Sequence, residues 1–280
     1  MLPHQVALVS ETSAVSFSGV ARLSASLQKQ ATRDLEPVWG VRATVDAFEK
    51  LEDVPIGYWP IIMRDDIQTP GAAGFHTDDH GQPFSLVQVE PGWPLTASHE
   101  CLEMLVDPFG NRTVAGAPPP QGDRTVSQLE RVEYLVEVGD PCEASDFAYS
   151  VNRIHLSDFI TPHYYDPDGN TGVRYSFRGH VTGPHVVLKG GYVSFGNPIT
   201  NEWFQIQFFG NQPETVPLGV LNTAHKSLRE AIDARVRAKR PGYRTGRPLV
   251  AAAAAAGVAE SDRSSAGRAE SLHRAIKELK

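Results

Sequence analysis

The stretch TASHECLEMLVDP, residues 96–108, restricts the fold of this chain more than any other part of its sequence. Leu102, Leu105 and Val106 recur at a spacing that places them on one side of an α-helix. Asp107-Pro108 ends that helix, because a residue that precedes proline is disfavoured in the helical region. The sequence therefore predicts a helix over residues 95–106, with an apolar face for a core and a polar face left for another role.

The polar face of this helix carries His99 and Glu103, four residues apart. Side chains at that spacing point the same way and can share one ion, while Glu100 lies at the edge of the face. The motif HExxE differs by one residue from HExxH, in which two histidines hold zinc. A carboxylate can replace the second imidazole, but it adds negative charge to the ion. The alternative is a solvated helix face with a His–Glu contact.

A metal also needs a third protein ligand, and the acidic stretch EVGDPCE, residues 137–143, offers several. Asp140 stands in a Gly-Asp-Pro turn after a predicted strand, which suits a side chain that reaches the end of the helix. Glu137 is the second choice. Turn chemistry alone also explains an aspartate at such a position. The candidate metal ligands are therefore His99, Glu103 and Asp140.

A second stretch with histidines, GFHTDDHG at residues 74–81, offers His76, Asp78, Asp79 and His80. The composition of residues 69–83 is rich in Gly, Pro and Asp, and it predicts a loop. Such a loop can bind a metal or line a cleft, but acidic loops with glycine are more often solvated turns.

The composition and net charge of the chain narrow the class of protein to which it can belong. The 280 residues include 26 Lys+Arg against 33 Asp+Glu, and this net charge of −7 argues against general nucleic-acid binding. Two cysteines, Cys101 and Cys142, are too few for a disulfide framework. The sequence shows neither a signal-peptide pattern nor an apolar run of membrane-spanning length. These features lead us to expect a cytoplasmic protein, or one exported by a route that needs no Sec signal, that does not bind membranes.

The order of predicted elements indicates an α+β fold with a twisted mixed sheet backed by helices. Strands are expected at residues 5–10, 41–48, 58–65 and 83–92, and a helix from about residue 19 to 35. Residues 149–222 read as strands and turns, with a hairpin near their end. We expect the following organisation: an α+β domain over 1–148, a β-rich extension over 149–222, a helix over 223–246, an alanine-rich linker over 247–268 and an amphipathic helix over 269–280.

The pattern resembles a known family over residues 5–145. The order of elements looks like the first half of a zincin, especially the metzincin-like metalloproteases: a strand, a helix, further strands and then a helix with His-Glu. SHECLEMLVDP followed by EVGDPCE is also similar to mostly uncharacterised bacterial and phage-associated proteins. The resemblance implies that His99 is a zinc ligand, that Glu100 is the general base and that Glu103 replaces the second histidine. It further implies that strand 83–92 is a cleft edge, where Leu86 and Gln88 bind an extended peptide.

Three functions remain open at this stage. The first is a zinc-dependent hydrolase, expected to be a metallopeptidase, in which Glu100 activates water. The second is an inactive zincin-like scaffold that binds a protein partner, such as a component of a phage or phage-derived particle, through its C-terminal helix. The third is a structural cation such as calcium, which an oxygen-rich ligand set favours.

Overall fold

The computed structural model describes residues 2–224 and 226–239. Its first half is a five-stranded sheet with the order β2-β1-β3-β5-β4. The first four strands in that order are parallel to their neighbours, whereas β4 runs antiparallel to β5. The strands are β1 (His4–Ser10), β2 (Ala43–Ala47), β3 (Trp59–Arg64), β4 (Gly74–Asp79) and β5 (Gln82–Gln88).

A long helical segment joins β1 to β2. Helix α1 (Phe17–Lys29) begins at Ser16, whose hydroxyl oxygen accepts a hydrogen bond from the Gly19 N–H. The segment continues as a π-helical turn over Gln30–Leu35 and ends as α2 (Glu36–Trp39) at Gly40, whose φ of 69° suits glycine. The apolar residues that predicted this helix are buried, among them Val20, Leu23, Leu27 and Leu35.

Helix α3 (Trp93–Val106) follows β5 and carries the HExxE motif, as the sequence predicts. It begins after Gly92, which adopts a φ of 95°, and its first turn includes Pro94, where proline loses no helical hydrogen bond. It ends at Asp107, the residue before Pro108.

The second half contains an antiparallel sheet with the order β12-β11-β10-β7-β6. The predicted hairpin near its end is confirmed, since β10 pairs with β11. A small separate hairpin, β8 with β9, contacts α3. The elements are β6 (Thr113–Gly116), β7 (Val132–Leu135), β8 (Tyr149–Val151), β9 (Ile154–Leu156), β10 (Tyr192–Gly196), β11 (Glu202–Gln207), β12 (Glu214–Val220) and helix α4 (Leu228–Lys239).

The α+β class is confirmed, but one predicted loop is wrong. Residues 69–83 contain strand β4, because the Gly-rich and Asp-rich flanks hide a short run whose His76 and Thr77 are buried. The stretch VRYSFRGHV, residues 173–181, forms no named strand and contributes only an isolated bridge between Ile160 and Ser176.

The predicted position of β5 at a cleft edge is also wrong. β5 lies between β3 and β4: Leu86 pairs with Ile62 on one side and Phe75 on the other. The Gln88 N–H donates to the Ala73 carbonyl. Both sides of the strand are occupied, so the backbone of Leu86 and Gln88 cannot pair with a substrate strand. On this side of the sheet the edge strand is β4.

The boundary expected at residue 148 falls inside one packed unit. Strands β6 and β7 precede it and share a sheet with β10–β12, and one apolar core contains residues from both sides. Within residues 2–224 and 226–239, no helix is long and apolar enough to cross a membrane. The linker expected over 247–268 and the helix over 269–280 lie outside the described residues.

A buried hydrogen-bond network fixes the start of α3. The Ser98 hydroxyl donates to Gln30 Oε1 at 2.9 Å and accepts from the Ser157 N–H at 3.0 Å. Gln30 Nε2 in turn donates to the Ser157 carbonyl and to the Tyr149 hydroxyl. The network joins the π-helical turn, α3 and the segment after β9, and it holds the residue next to His99 in place.

We expect Ser98→Ala to lower the free energy of unfolding by about 1–3 kcal/mol, because it leaves a buried acceptor and a buried donor without a partner. Denaturant unfolding measures this loss. Ser150→Ala, on the exposed side of β8, is the matched control and should cost little. Equal losses in the two variants would show that the network does not hold α3.

Candidate metal centre

The polar face of α3 is not solvated. Every residue from Leu95 to Val106 is buried, including His99, Glu100 and Glu103. The solvated-face alternative is therefore wrong. Burial of ionisable side chains is costly unless charge partners or bound ions compensate, so the surroundings of these three decide what the helix can do.

The structure brings together the three candidate ligands that the sequence predicts. His99 Nε2 lies 3.2 Å from Glu103 Oε2 and 3.3 Å from Asp140 Oδ1. Asp140 begins a short 3₁₀ turn, Asp140–Cys142, directly after Gly139. The Gly139 N–H donates to Glu103 Oε1 at 3.1 Å and so orients the other carboxylate oxygen toward His99.

The spacing of these atoms fits a tetrahedral metal ion. Ligand atoms that bind an ion at about 2.0–2.1 Å lie about 3.3–3.4 Å apart at the corners of a tetrahedron. Neither carboxylate oxygen lies where the ring N–H of His99 would donate to it, and Nε2 has no hydrogen-bond partner among the described residues. Oxygens displaced from the ring axis in this way are expected of co-ligands around an ion. These buried side chains can therefore hold a metal ion.

A second group of ligand atoms contains a residue that sequence reasoning placed in a loop. His76, on strand β4, has Nδ1 3.5 Å from Glu100 Oε2 and 3.9 Å from Glu103 Oε2. Its Nε2 lies 3.0 Å from the Asp107 carbonyl. The remaining residues of the histidine-rich stretch do not join this group: Asp78 accepts from the Gly81 N–H, and Asp79 contacts His80.

A buried arginine completes the centre. Arg229, on α4, donates through its NH1 nitrogen to Glu103 at 2.7 Å and to Glu137 at 2.5 Å. Its neighbour Glu230 accepts from the Thr77 hydroxyl at 2.8 Å, so α4 lies against both strand β4 and the centre. Sequence reasoning read this segment as a polar helix and gave it no role in the site. No local signal distinguishes Arg229 from the other arginines of the helix.

The charges of the centre do not balance. Five carboxylates with at most 5% exposure lie in and around the centre with the guanidinium of Arg229, and if all five were ionised they would leave four negative charges. The carboxylates are Glu100, Glu103, Glu137, Asp140 and Glu143. Asp233, on the same helix as Arg229, is a further carboxylate that contacts this guanidinium, at 3.6 Å. Asp107 is satisfied separately, since it accepts from the Asn111 and Arg112 N–H groups.

Without a further cation, protons must supply the missing positive charge. Burial raises the pKa of Glu137 and Glu143 well above the usual range, and raises that of Asp140 to about 6. Burial alone would also raise the pKa of Glu103, but the charges of His99 and Arg229 hold it well below its ordinary value. Burial would lower the pKa of His99, yet the charge of Glu103 raises it.

The two cysteines stand outside both ligand groups. Cys101 and Cys142 are buried and free, and burial raises the pKa of the Cys101 thiol to about 12. Burial likewise raises the pKa of Cys142 well above its ordinary value. Neither thiol is a ready nucleophile or a ready thiolate ligand.

Comparison of the chain with protein-family models, with curated sequences and with solved structures finds no match. The resemblance to zincins thus stays a prediction, and the geometry of the centre is what indicates a function.

Gly139 lies against the ring of His99 so closely that a methyl group cannot fit. A Cβ at this position would lie 2.4 Å from His99 Nδ1, although the φ of −87° suits any residue. We expect Gly139→Ala to displace the Asp140 turn from His99 and to lower the free energy of unfolding by about 1–3 kcal/mol. Calorimetry tests this against Gly210→Ala, where a Cβ would meet nothing within 4 Å. Equal stability of the two variants would contradict the close contact.

Arg229→Met should be among the most destabilising changes outside the apolar core. It removes the partner of two buried carboxylates, a loss that typically costs about 3–5 kcal/mol. Arg235→Met, at an exposed position of the same helix, is the matched control and should change stability little. A small loss at Arg229, similar to that at Arg235, would show that the buried ion pairs do not hold α4.

Proposed function

We propose that this chain binds a divalent metal ion through His99, Glu103 and Asp140, and that the ion stabilises a closed, zincin-like scaffold. The observation that carries the proposal is the position of the three ligand atoms. They are buried, they come from two segments far apart in sequence, and both carboxylate oxygens lie from His99 Nε2 at the separation of a tetrahedral site, with all three atoms within 4.8 Å of one another. A fourth position would be filled by a neighbouring carboxylate or by water.

Zinc suits this donor set better than calcium. Calcium takes six to eight oxygen ligands, whereas an imidazole nitrogen beside two carboxylate oxygens is typical of zinc and similar transition metals. The short distances around His99 Nε2 also favour the small tetrahedral ion. We therefore name zinc as the cofactor, and calcium as the ion that the proposal disfavours.

The burial of the centre supports a scaffold rather than a peptidase. A peptidase needs a cleft that admits an extended chain beside the metal. Here Glu230 of α4 bonds to Thr77 on edge strand β4, and Arg229 of the same helix contacts Glu103. A surface cavity lined by Asp66, Gln88 and Glu90 includes none of the centre's side chains. An assembly role for residues 269–280 stays a prediction.

A second candidate function is a metallopeptidase whose site opens when α4 moves. The observation that favours it is Glu100, whose two carboxylate oxygens are buried and have no hydrogen-bond partner among the described residues. A buried carboxylate without hydrogen-bond partners, next to a metal ligand on the same helix, can act as a general base that takes a proton from water.

The proposed function predicts that protein purified without a histidine tag retains zinc through gel filtration, with at least one equivalent by elemental mass spectrometry. His99→Ala and Asp140→Asn should lose that equivalent, while His163→Ala, an exposed histidine, should keep it. A chelator should lower the free energy of unfolding by about 3–4 kcal/mol when free zinc had exceeded Kd several hundred-fold. Protein without zinc, even after zinc is supplied during refolding, would refute the proposal.

Glu100→Gln separates the two candidate functions. If Glu100 is a general base, the variant keeps the full metal content and loses any peptide hydrolysis that the native protein shows. If the native protein hydrolyses no peptide in a broad substrate screen, even after Arg229→Met loosens α4, the peptidase candidate fails and the scaffold remains.

A further inference from the structure

The metal ion proposed at His99, Glu103 and Asp140 does not explain why the ring of His76 points its Nδ1 toward Glu100. A carbonyl oxygen only accepts, so Nε2 must carry the proton that it shares with the Asp107 carbonyl at 3.0 Å. In the neutral ring, Nδ1 then presents a lone pair. That lone pair is buried, has no partner within the described residues and lies 3.5 Å from Glu100 Oε2. Two buried acceptors that face each other repel unless a proton or a metal cation lies between them.

Glu100, which faces His76 from helix α3, also lacks hydrogen-bond partners. Both of its oxygens are buried and unpartnered in the part of the chain that the structure describes. Gly74 on β4 allows this approach, because a Cβ there would lie 3.0 Å from Glu100 Oε1. Strand β4 and helix α3 thus lie close enough for His76 and Glu100 to meet.

Glu103 connects this point to the first ligand group. Its Oε2 lies 3.2 Å from His99 Nε2 and 3.9 Å from His76 Nδ1, so one carboxylate belongs to both groups. Arg229 also donates to this oxygen, but it keeps Glu137 as a second acceptor at 2.5 Å. Carboxylates that bridge two ions hold them about 3.5–4 Å apart in known two-metal sites.

The charge of the centre is compatible with more than one cation. If its five carboxylates are ionised, four negative charges remain after Arg229 is counted, and one divalent ion offsets only two. A second divalent ion would offset the other two.

We infer that the centre is dinuclear, with a second divalent cation bound by His76 and Glu100 and with Glu103 as the bridging ligand. The inference rests on the proposed function, since it needs the first ion at His99. In this arrangement Glu100 is a metal ligand and not a general base. Zinc and manganese are the cations whose chemistry fits an imidazole beside two carboxylates.

The stoichiometry of the full chain tests the inference. Zinc-loaded native protein should retain two equivalents after gel filtration, and His76→Ala and Glu100→Gln should each retain one. His76→Gln is a second variant, because its amide can still donate toward the Asp107 carbonyl and preserve the fold. His163→Ala should retain two. Thermal unfolding of each variant reports whether it is folded.

Electron paramagnetic resonance of the manganese-loaded protein gives an independent readout. The native protein should show the spectrum of a spin-coupled pair, and His76→Gln the six-line spectrum of an isolated ion. One equivalent in the native protein, lost in His99→Ala, would overturn the second site and leave the proposed function intact. No bound metal would overturn both. Two equivalents in a folded His76→Gln variant would show that the second ion lies elsewhere.

Discussion

The concentration of negative charge behind helix α3 is the constraint on which the rest of this structure depends. Buried carboxylates are tolerated only when cations or protons compensate for the lost hydration. Five of them lie in and around the centre together with the guanidinium of Arg229, and His76 Nδ1 and His99 Nε2 have no hydrogen-bond partner among the described residues. Bound cations would offset the charge and give both imidazole nitrogens a partner at once.

The centre also joins the two halves of the molecule. His76 comes from the edge of the first sheet, while His99 and Glu103 come from the helix that follows it. Asp140 lies in the segment after β7 of the second sheet, and Arg229 comes from α4 near the end of the described chain. The contacts of Asp140 and Arg229 with α3 close loops of many residues, so an ion here would stabilise the pairing of segments that are distant in the sequence.

Part of this arrangement follows from the sequence alone. The α3 helix, its Asp-Pro end and the shared direction of His99 and Glu103 follow from helical geometry, which is local. The placement of Asp140 was predicted from its turn. His76 was not, because glycines and aspartates on either side gave its short strand the composition of a loop. Arg229 lies 126 residues from Glu103, and no local pattern reports a partner that only the folded chain brings near.

The position of the expected substrate cleft also could not be predicted from local sequence patterns. A strand directly before the helix was predicted to be the edge, but sheet order depends on which strands pair, and periodicity does not report pairing. Because β4 takes the edge position and Thr77 on it bonds to Glu230 of α4, the chain itself contacts the edge where a substrate strand would pair. The closed centre is thus a consequence of long-range packing that the HExxE motif alone does not contain.

Anomalous diffraction from a crystal of the zinc-loaded protein tests the central claim most directly. The account predicts a peak at the zinc absorption edge at about 2.0–2.2 Å from His99 Nε2, Glu103 Oε2 and Asp140 Oδ1. Zinc bound only at surface histidines, with the buried carboxylates contacting one another through protons or water, would contradict it.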